Sequence, residues 1–432
     1  MQPYGGQQYH TVKPQVCRFA DDLLTITVFG GHYRLGRLFT DFFQDGIETL
    51  VIQRGHIRAP RVRLLALLQH GSELIDLLVD EERALLLKEI ALNLPDITLN
   101  ERQMCDLELL ATGGFSPLKG YMIRSDYEAV LDRMRLQDDT LWPIPICMDI
   151  DELKARSLEA GQSVALRDPE GYLLAVMHIE DLWPIDREKE AQQVYGTLDQ
   201  THPGIDYLYK VAGDYYIGGQ LEVLSPPLHS DFKQLRMTPA EIRSNFKKFG
   251  WKRMVAFMTR NPIHRPQYEM TLNAMRETNA NLLLLPIAGM TKPGDFDHYT
   301  RVRCYRRVVE HYPPDTIILN LLPLATRMSG PREALLHAIV AKNYGCSHFI
   351  TGRDHAGPGL DCDGKPYYKS DDACKLTEQY SDELGLTILP FTEMVYLPFE
   401  DEFRCADQVP EGTQFISLSG SDIRERIRTG RK

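Results

Sequence analysis

Between Trp251 and about residue 390 the chain alternates continuous apolar runs with helix-length stretches, and this rhythm constrains the fold more than any other feature. RMVAFMT (253–259) reads as a buried strand, followed by a Pro-containing loop and a helix over YEMTLNAMRETNA. NLLLLPIAG, TIILNLLP and HFITG are further runs of the same kind, and REALLHAIVAKNYG is a helix between the last two. Such alternation predicts an α/β domain whose parallel sheet is covered by helices on its faces. Ligands of these sheets sit at the carboxyl ends of the strands. The expectation therefore falls on the residues just after RMVAFM and HFITG, with the first strand ending near Phe257.

Upstream the pattern changes. SELIDLLVDEERALLLKEIALNL (72–94) carries apolar residues at helical spacing. ITLNERQMCDLELLATGGFSPLKGYM (97–122) has a cap-like Asn100 and a Gly113-Gly114 stop before the loop FSPLKG. Short strand-like runs follow, LWPIPICMDI and SVALRDPEGYLLAVMHI among them, so this region reads as β-rich with a few helices. LSPPLHSDFKQLRMTPAEIR (224–243) is punctuated by prolines and reads as a linker. Residues 1–65 form an unassigned extension, with strand character at TITVFGG, a helical look to RLGRLFTDFF and local basicity at 54–63. The expected division is 1–65, a β-rich domain over 66–225, an α/β domain over 226–390, and a partial C-terminal piece over 391–432.

Composition narrows the function classes. A hydrophobic fraction of 43% and a charged fraction of 25% are ordinary for a soluble globular chain. No apolar run reaches the roughly eighteen residues a membrane helix needs. The start, MQPYGGQQYH, has neither the basic nor the apolar region of a secretory signal, so a cytoplasmic protein is expected. A net charge of −11 argues against a nucleic-acid binder but not against a nucleotide substrate, for which a few local cations suffice. The eight cysteines include no CxxC pair and read as reduced thiols. Cys362, Cys374 and the nearby His355 fit no zinc spacing, and no protein-bound metal is expected.

Four segments carry candidate chemistry. FMTRNPIHRPQYEM (257–270) supplies Arg260, Asn261, His264 and Arg265 between a strand and a helix. A helix N-terminus with free N–H groups suits phosphate, and the arginine fork suits oxyanions. The competing reading is a turn capped by Asn261, with Pro262 at the first helical position and His264 merely packed. ITGRDHAGPG (350–359) combines Gly352, Ala356, Gly357 and Gly359 with Arg353 and His355, which permits close backbone approach to a ligand. MTKPGDFDHYTR (290–301) offers Lys292, either toward polyphosphate or as a solvated turn. ISLSGSDIRERI (416–427) offers Ser419-Gly420-Ser421 as a capped helix start.

These segments, in this order and spacing, resemble the ATP sulfurylase (sulfate adenylyltransferase) family, including the sulfurylase part of bacterial bifunctional sulfurylase/adenylyl-sulfate kinase proteins. The similarity covers roughly residues 69–432, with ERQMCDLELLATGGFSPLKGYM, LWPIPI, TKPGD, GPREALLHAIVAKNYGCSHFITGRDHAGPG, FTEMVYL and SLSGSDIRERI among its blocks. The resemblance implies a PUA-like β-rich domain followed by a Rossmann-like nucleotidylyltransferase domain. It implies attack of sulfate on the α-phosphorus of ATP, with magnesium accompanying the nucleotide, giving adenylyl sulfate and pyrophosphate. By the same resemblance the catalytic set is Thr259, Arg260, Asn261 and His264, and Arg260 and Ala356 meet sulfate. Asn261, His264, Gln267, Gly352, Arg353, Asp354, His355 and Val395 fall at ATP-binding positions, with Met394 beside Val395 at the adenine. Homo-oligomers are common in the family, and an adenylyl-sulfate kinase domain or partner accompanies some members.

Two positions depart from the family motif Gln-x-Arg-Asn-Pro-x-His-x-x-His. Met258 stands for the substrate-bonding glutamine, and a thioether cannot donate a hydrogen bond. Gln267 stands for the second histidine, exchanging a potential cation for an amide. The chain stops at Arg428-Thr429-Gly430-Arg431-Lys432, where family members continue, and it holds no GxxxxGK[ST] loop for kinase chemistry. Three readings follow: a working sulfate adenylyltransferase, a degenerate member kept as a scaffold or regulatory module, and an enzyme adenylylating another oxyanion.

Overall fold

The computed structural model describes residues 70–71, 74–290, 296–390, 393–417, 426, 429 and 430, together with three strands nearer the start. The chain divides into two units, 1–59 and 60–432. In the first, β1 (Gln15–Arg18), β2 (Leu24–Val28) and β3 (Gly31–Leu35) form an antiparallel sheet in that order. The strand expected at TITVFGG is β2 through Val28, whereas Arg34 and Leu35, expected to be helical, belong to β3. The remainder of that helix and the basic stretch 54–63 lie outside the described residues.

The second unit begins with the β-rich layer. Six strands, β4 (Asp96–Thr98), β5 (Gly120–Tyr121), β6 (Met148–Ile150), β7 (Ser163–Arg167), β8 (Leu173–Pro184) and β9 (Tyr215–Val223), join in the order β4-β7-β8-β9-β5, with β6 also on β9. Before them, 72–94 is not one helix. Asp80 accepts from the Arg83 N–H and caps a shorter helix, α1 (Glu81–Ile90), because an aspartate at that position stops the helix from starting earlier. The Asn100 cap is as expected: its side chain and that of Gln103 form a reciprocal capping box on α2 (Glu101–Ala111).

The presumed linker also contains a helix start. Thr238 accepts from Glu241 N–H while Glu241 reaches back to the Thr238 N–H, opening α3 (Pro239–Lys248). The T-P-A-E sequence that read as punctuation is a capping box with proline in the first turn. A five-stranded sheet follows, β10 (Met254–Thr259), β11 (Asn281–Pro286), β12 (Ile317–Leu319), β13 (His348–Thr351) and β14 (Thr387–Pro390). Every pairing in it is parallel, in the order β12-β11-β10-β13-β14. The strand order reverses between β10 and β13, which opens a crevice at their carboxyl ends.

The longer helices that serve this sheet are α4 (Arg265–Thr278), α5 (His298–Val309), α6 (Pro331–Asn343) and α7 (Asp372–Gln379). Residues alternate along β10, so Met254, Ala256 and Met258 join one apolar cluster with α6, and Val255 and Phe257 join another with α4. The α6 cluster is continuous with the core of the β-rich domain. Accordingly α6 is buried from Glu333 to Asn343, as a helix enclosed on all sides must be. Asn343 Nδ2 donates to Gly114 O and Ser116 O at 3.0 Å each, fastening the two domains through their backbone. A hairpin, β15 (Met394–Leu397) and β16 (Glu402–Cys405), packs Met394 and Cys405 into the α4 cluster. Among the described residues no helix is long and apolar enough to cross a membrane.

Candidate active site

The two Arg/His loops anticipated in the sequence leave the adjacent strands β10 and β13 at their carboxyl ends. Strand β10 runs to Thr259, the last residue of the RMVAFMT run, so Arg260 follows it directly. The Thr259 hydroxyl donates to Asn261 O and accepts the Asn261 N–H, both at 3.1 Å, which closes a tight turn. The turn is not a helix cap: α4 starts at Arg265, His264 is its N-cap residue, and Pro266 rather than Pro262 lies in the first turn. Arg260 Nη2 donates to Gly357 O at 3.2 Å, so one side chain of the first loop meets the backbone of the second.

At the start of α4, Gln267 turns back on the cap. Its Oε1 accepts from His264 Nδ1 at 2.8 Å and lies 3.4 Å from the His264 backbone N–H. Gln267 is thereby engaged in holding His264. Met258 is only 5% exposed and packs with Leu283, Leu285 and Ile287, so its thioether belongs to the apolar core.

The second loop is built from uncommon backbone conformations. Asp354 (φ 47°) and Ala356 (φ 56°) both lie in the left-handed region, which costs a non-glycine residue about 1 kcal/mol or more. A Cβ on Gly357 would fall 2.0 Å from Asp354 Oδ1, so a larger residue there would displace the Asp354 carboxylate. The Ala356 carbonyl accepts from Gly330 N at 3.2 Å, and Asp354 N donates to Ser370 O at 3.0 Å. Gly352 N–H donates to His355 Nδ1 at 3.1 Å. Arg353 projects outward and pairs with Glu393 at 3.0 Å, an exposed contact that contributes little. Val395 is fully buried in β15. Lys292 and Ser419-Gly420-Ser421 lie outside the described residues.

Several supporting residues escaped the sequence reading. Arg301 on α5 is buried and donates to the carbonyls of Arg260 (3.2 Å) and Ile287 (3.0 Å), tying the first loop to β11. Tyr305, one turn on, donates to Asn261 O at 2.8 Å. Their four-residue spacing on a helix was the available signal, but nothing in the sequence named their distant partners. Behind the second loop, His355 Nε2 lies 2.9 Å from His337 Nδ1 on α6. Burial, reinforced by His337 and Arg260, lowers His355 to about 3, so its ring is neutral at ordinary pH.

A crevice at a strand-order reversal, floored by glycine-permitting backbone and walled by arginine and imidazole, suits a phosphorylated ligand and a second oxyanion. The ATP-sulfurylase family model matches residues 233–432, and a PUA-like domain model matches 67–226. The sulfate adenylyltransferase of Schizosaccharomyces pombe is 49% identical over 346 residues, covering 80% of this chain and 71% of that protein.

The chain belongs to the sulfate adenylyltransferase (ATP sulfurylase) family.

The Mycosarcoma maydis sulfate adenylyltransferase is likewise 49% identical over 365 residues, 84% of this chain. The chain spans 64% of the length of that relative. Among solved structures, a hexameric APS kinase from Thiobacillus denitrificans matches with a TM-score of 0.69 and 31% identity, over 85% of this chain and 65% of that one. The PUA-like match spans the β-rich layer of this chain and the ATP-sulfurylase match spans its parallel α/β domain.

Proposed function

We propose that the chain is a sulfate adenylyltransferase. A sulfate oxygen attacks the α-phosphorus of ATP, the bond to the bridging oxygen breaks, and pyrophosphate leaves with the electron pair; the reverse reaction makes ATP. The observation that carries this reading is the Arg260–Gly357 contact at the strand-order reversal, which unites the two loops in one crevice. Arg260 and the Ala356 N–H hold sulfate in the proposal. Asn261, His264 and Gln267 face the phosphates, and Gly352, Arg353, Asp354, His355 and Val395 border the rest of the nucleotide. Thr259 acts by shaping the turn that presents Arg260 and Asn261. No covalent nucleophile is required, because alignment and charge stabilisation supply the rate.

Magnesium enters on the ATP phosphates, its usual place, as part of the substrate. Among the described residues no group of three or more His, Cys, Asp or Glu side chains is arranged to hold a metal. The domain division proposed is 66–225, 226–390 and 391–432, preceded by the extension. We further propose a cytoplasmic homo-oligomer, with an adenylyl-sulfate kinase domain or partner consuming its product.

Met258 in the apolar core and Gln267 committed to the cap favour a second reading, a degenerate module retained as a scaffold for such a kinase. Sulfate-dependent pyrophosphate release from MgATP separates the two. The enzyme reading predicts release that saturates with sulfate; ATP binding without release supports the scaffold.

A further inference from the structure

The second loop is anchored by a chain of largely buried polar groups that runs from Gly352 through His355 to His337 and Glu333 on α6. The chain's protons follow from one fixed donor. A backbone N–H can only donate, so Gly352 N–H makes His355 Nδ1 an acceptor. A neutral His355 then carries its proton on Nε2 and donates it to His337 Nδ1 at 2.9 Å. His337 in turn holds its proton on Nε2, which faces Glu333 Oε1 at 3.6 Å, beyond hydrogen-bond length but close enough for attraction. The same carboxylate accepts the backbone N–H groups of Arg327 (2.9 Å) and Ser329 (3.1 Å). Glu333 is fully buried and His337 is 2% exposed, so neither touches a ligand in solution directly. Burial would raise the Glu333 carboxyl, but His337 and Arg327 outweigh it and hold it below the ordinary range.

We propose that Glu333 and His337 are positioning residues that fix the tautomer of His355 and, through it, the backbone of the nucleotide loop at Gly352. The loop needs such an anchor because Asp354 and Ala356 are both held in left-handed conformations. A second tie to α6 runs from Gly330 N to Ala356 O, and Gly330 is the residue that opens α6. Helix α6 thus grips the loop at two points, one through a histidine pair and one through its own N-terminus. His355 serves the site by turning both ring nitrogens inward, and not by contacting phosphate. Only the effect on ATP rests on the nucleotidyl-transfer reading; the tautomer chain stands without it.

The decisive experiment is nitrogen-15 NMR of the full chain labelled at histidine and glycine. In the unaltered protein His355 should show an unprotonated Nδ1 and a protonated Nε2; a protonated Nδ1 overturns the proposal without any variant. His337→Asn keeps an acceptor oxygen near the place of Nδ1, whereas His337→Leu removes it. The leucine variant should speed hydrogen exchange at Gly352 about tenfold and weaken MgATP binding by a similar factor. The asparagine variant should stay within about threefold of the parent in both, since the acceptor is retained. Parent-like exchange at Gly352 in a folded His337→Leu protein contradicts the proposal. If the parent shows the Nε2–H tautomer and the leucine effect on Gly352 but binds no ATP, the inference stands and the proposed function fails.

Discussion

Arg260 holds the backbone of the opposite loop through its guanidinium, and an incoming oxyanion would compete for the same donors. Arg260→Ala should therefore reduce sulfate-dependent turnover by about 10²–10³, the usual cost of one charge-stabilising donor. Arg260→Lys should recover only part of it, because an ammonium lacks the planar fork. Sulfate saturation curves on both variants check this, and a parent-like alanine variant would remove Arg260 from the site. Arg260, Asn261, His264 and the glycine-rich loop were legible in the sequence because they cluster at strand ends with few chemical roles open to them. Arg301, Tyr305, Glu333 and His337 were not, since each acts through a partner 18 or more residues away, or through a buried carboxylate that a helix pattern presents as ordinary.

Helix α6 is the element on which the site depends, and its first turn is set by Gly330. That residue has φ 53°, and a Cβ there would stand 2.4 Å from Tyr368 Cδ2. Tyr368 is itself held by a 3.1 Å bond from its hydroxyl to Tyr195 O. Gly330→Ala should lower stability by about 1–3 kcal/mol, through strain and overpacking together, as urea unfolding would measure. An unchanged midpoint would show that the ring yields freely. The long, apolar strands and helices of the α/β domain were readable because both faces of a parallel sheet are buried. Boundaries failed where a polar residue does two jobs. Asp80 looked like part of a helical face, and Thr238-Pro239 looked like linker, yet both are helix starts.

At the scale of the whole molecule, the β-rich and α/β domains share a core and a buried ion pair. Arg327 Nη2 meets both oxygens of Asp106 at 2.6 Å, with both residues under 5% exposed. No pattern in either segment announced this contact, because its partners are 221 residues apart. Buried histidines give the assembly a pH dependence. Burial lowers His70 and His202 to about 4 and His355 to about 3, from an ordinary 6.5, and His348 moves the same way. Their folded values lie below the unfolded one, so the stability they confer is complete above pH 6.5 and is lost as pH falls. Each contributes up to about 1.4 kcal/mol per pH unit in that range. Glu190, raised by burial to about 6, works in the opposite sense between 4.5 and 6 and offsets one of them. Urea midpoints should therefore fall steeply between pH 6.5 and 5; a flat profile would mean that these imidazoles are already protonated in the fold.

The most direct test of the central claim, that this crevice transfers an adenylyl group, is pyrophosphate-dependent ATP formation from adenylyl sulfate. The unaltered chain is compared with the Met258→Gln/Gln267→His double variant. The account predicts turnover by the unaltered chain, with the double variant faster by no more than about 10³, the value of one lost donor. A silent parent whose activity appears only in the double variant would contradict it and leave the crevice as a retained fold.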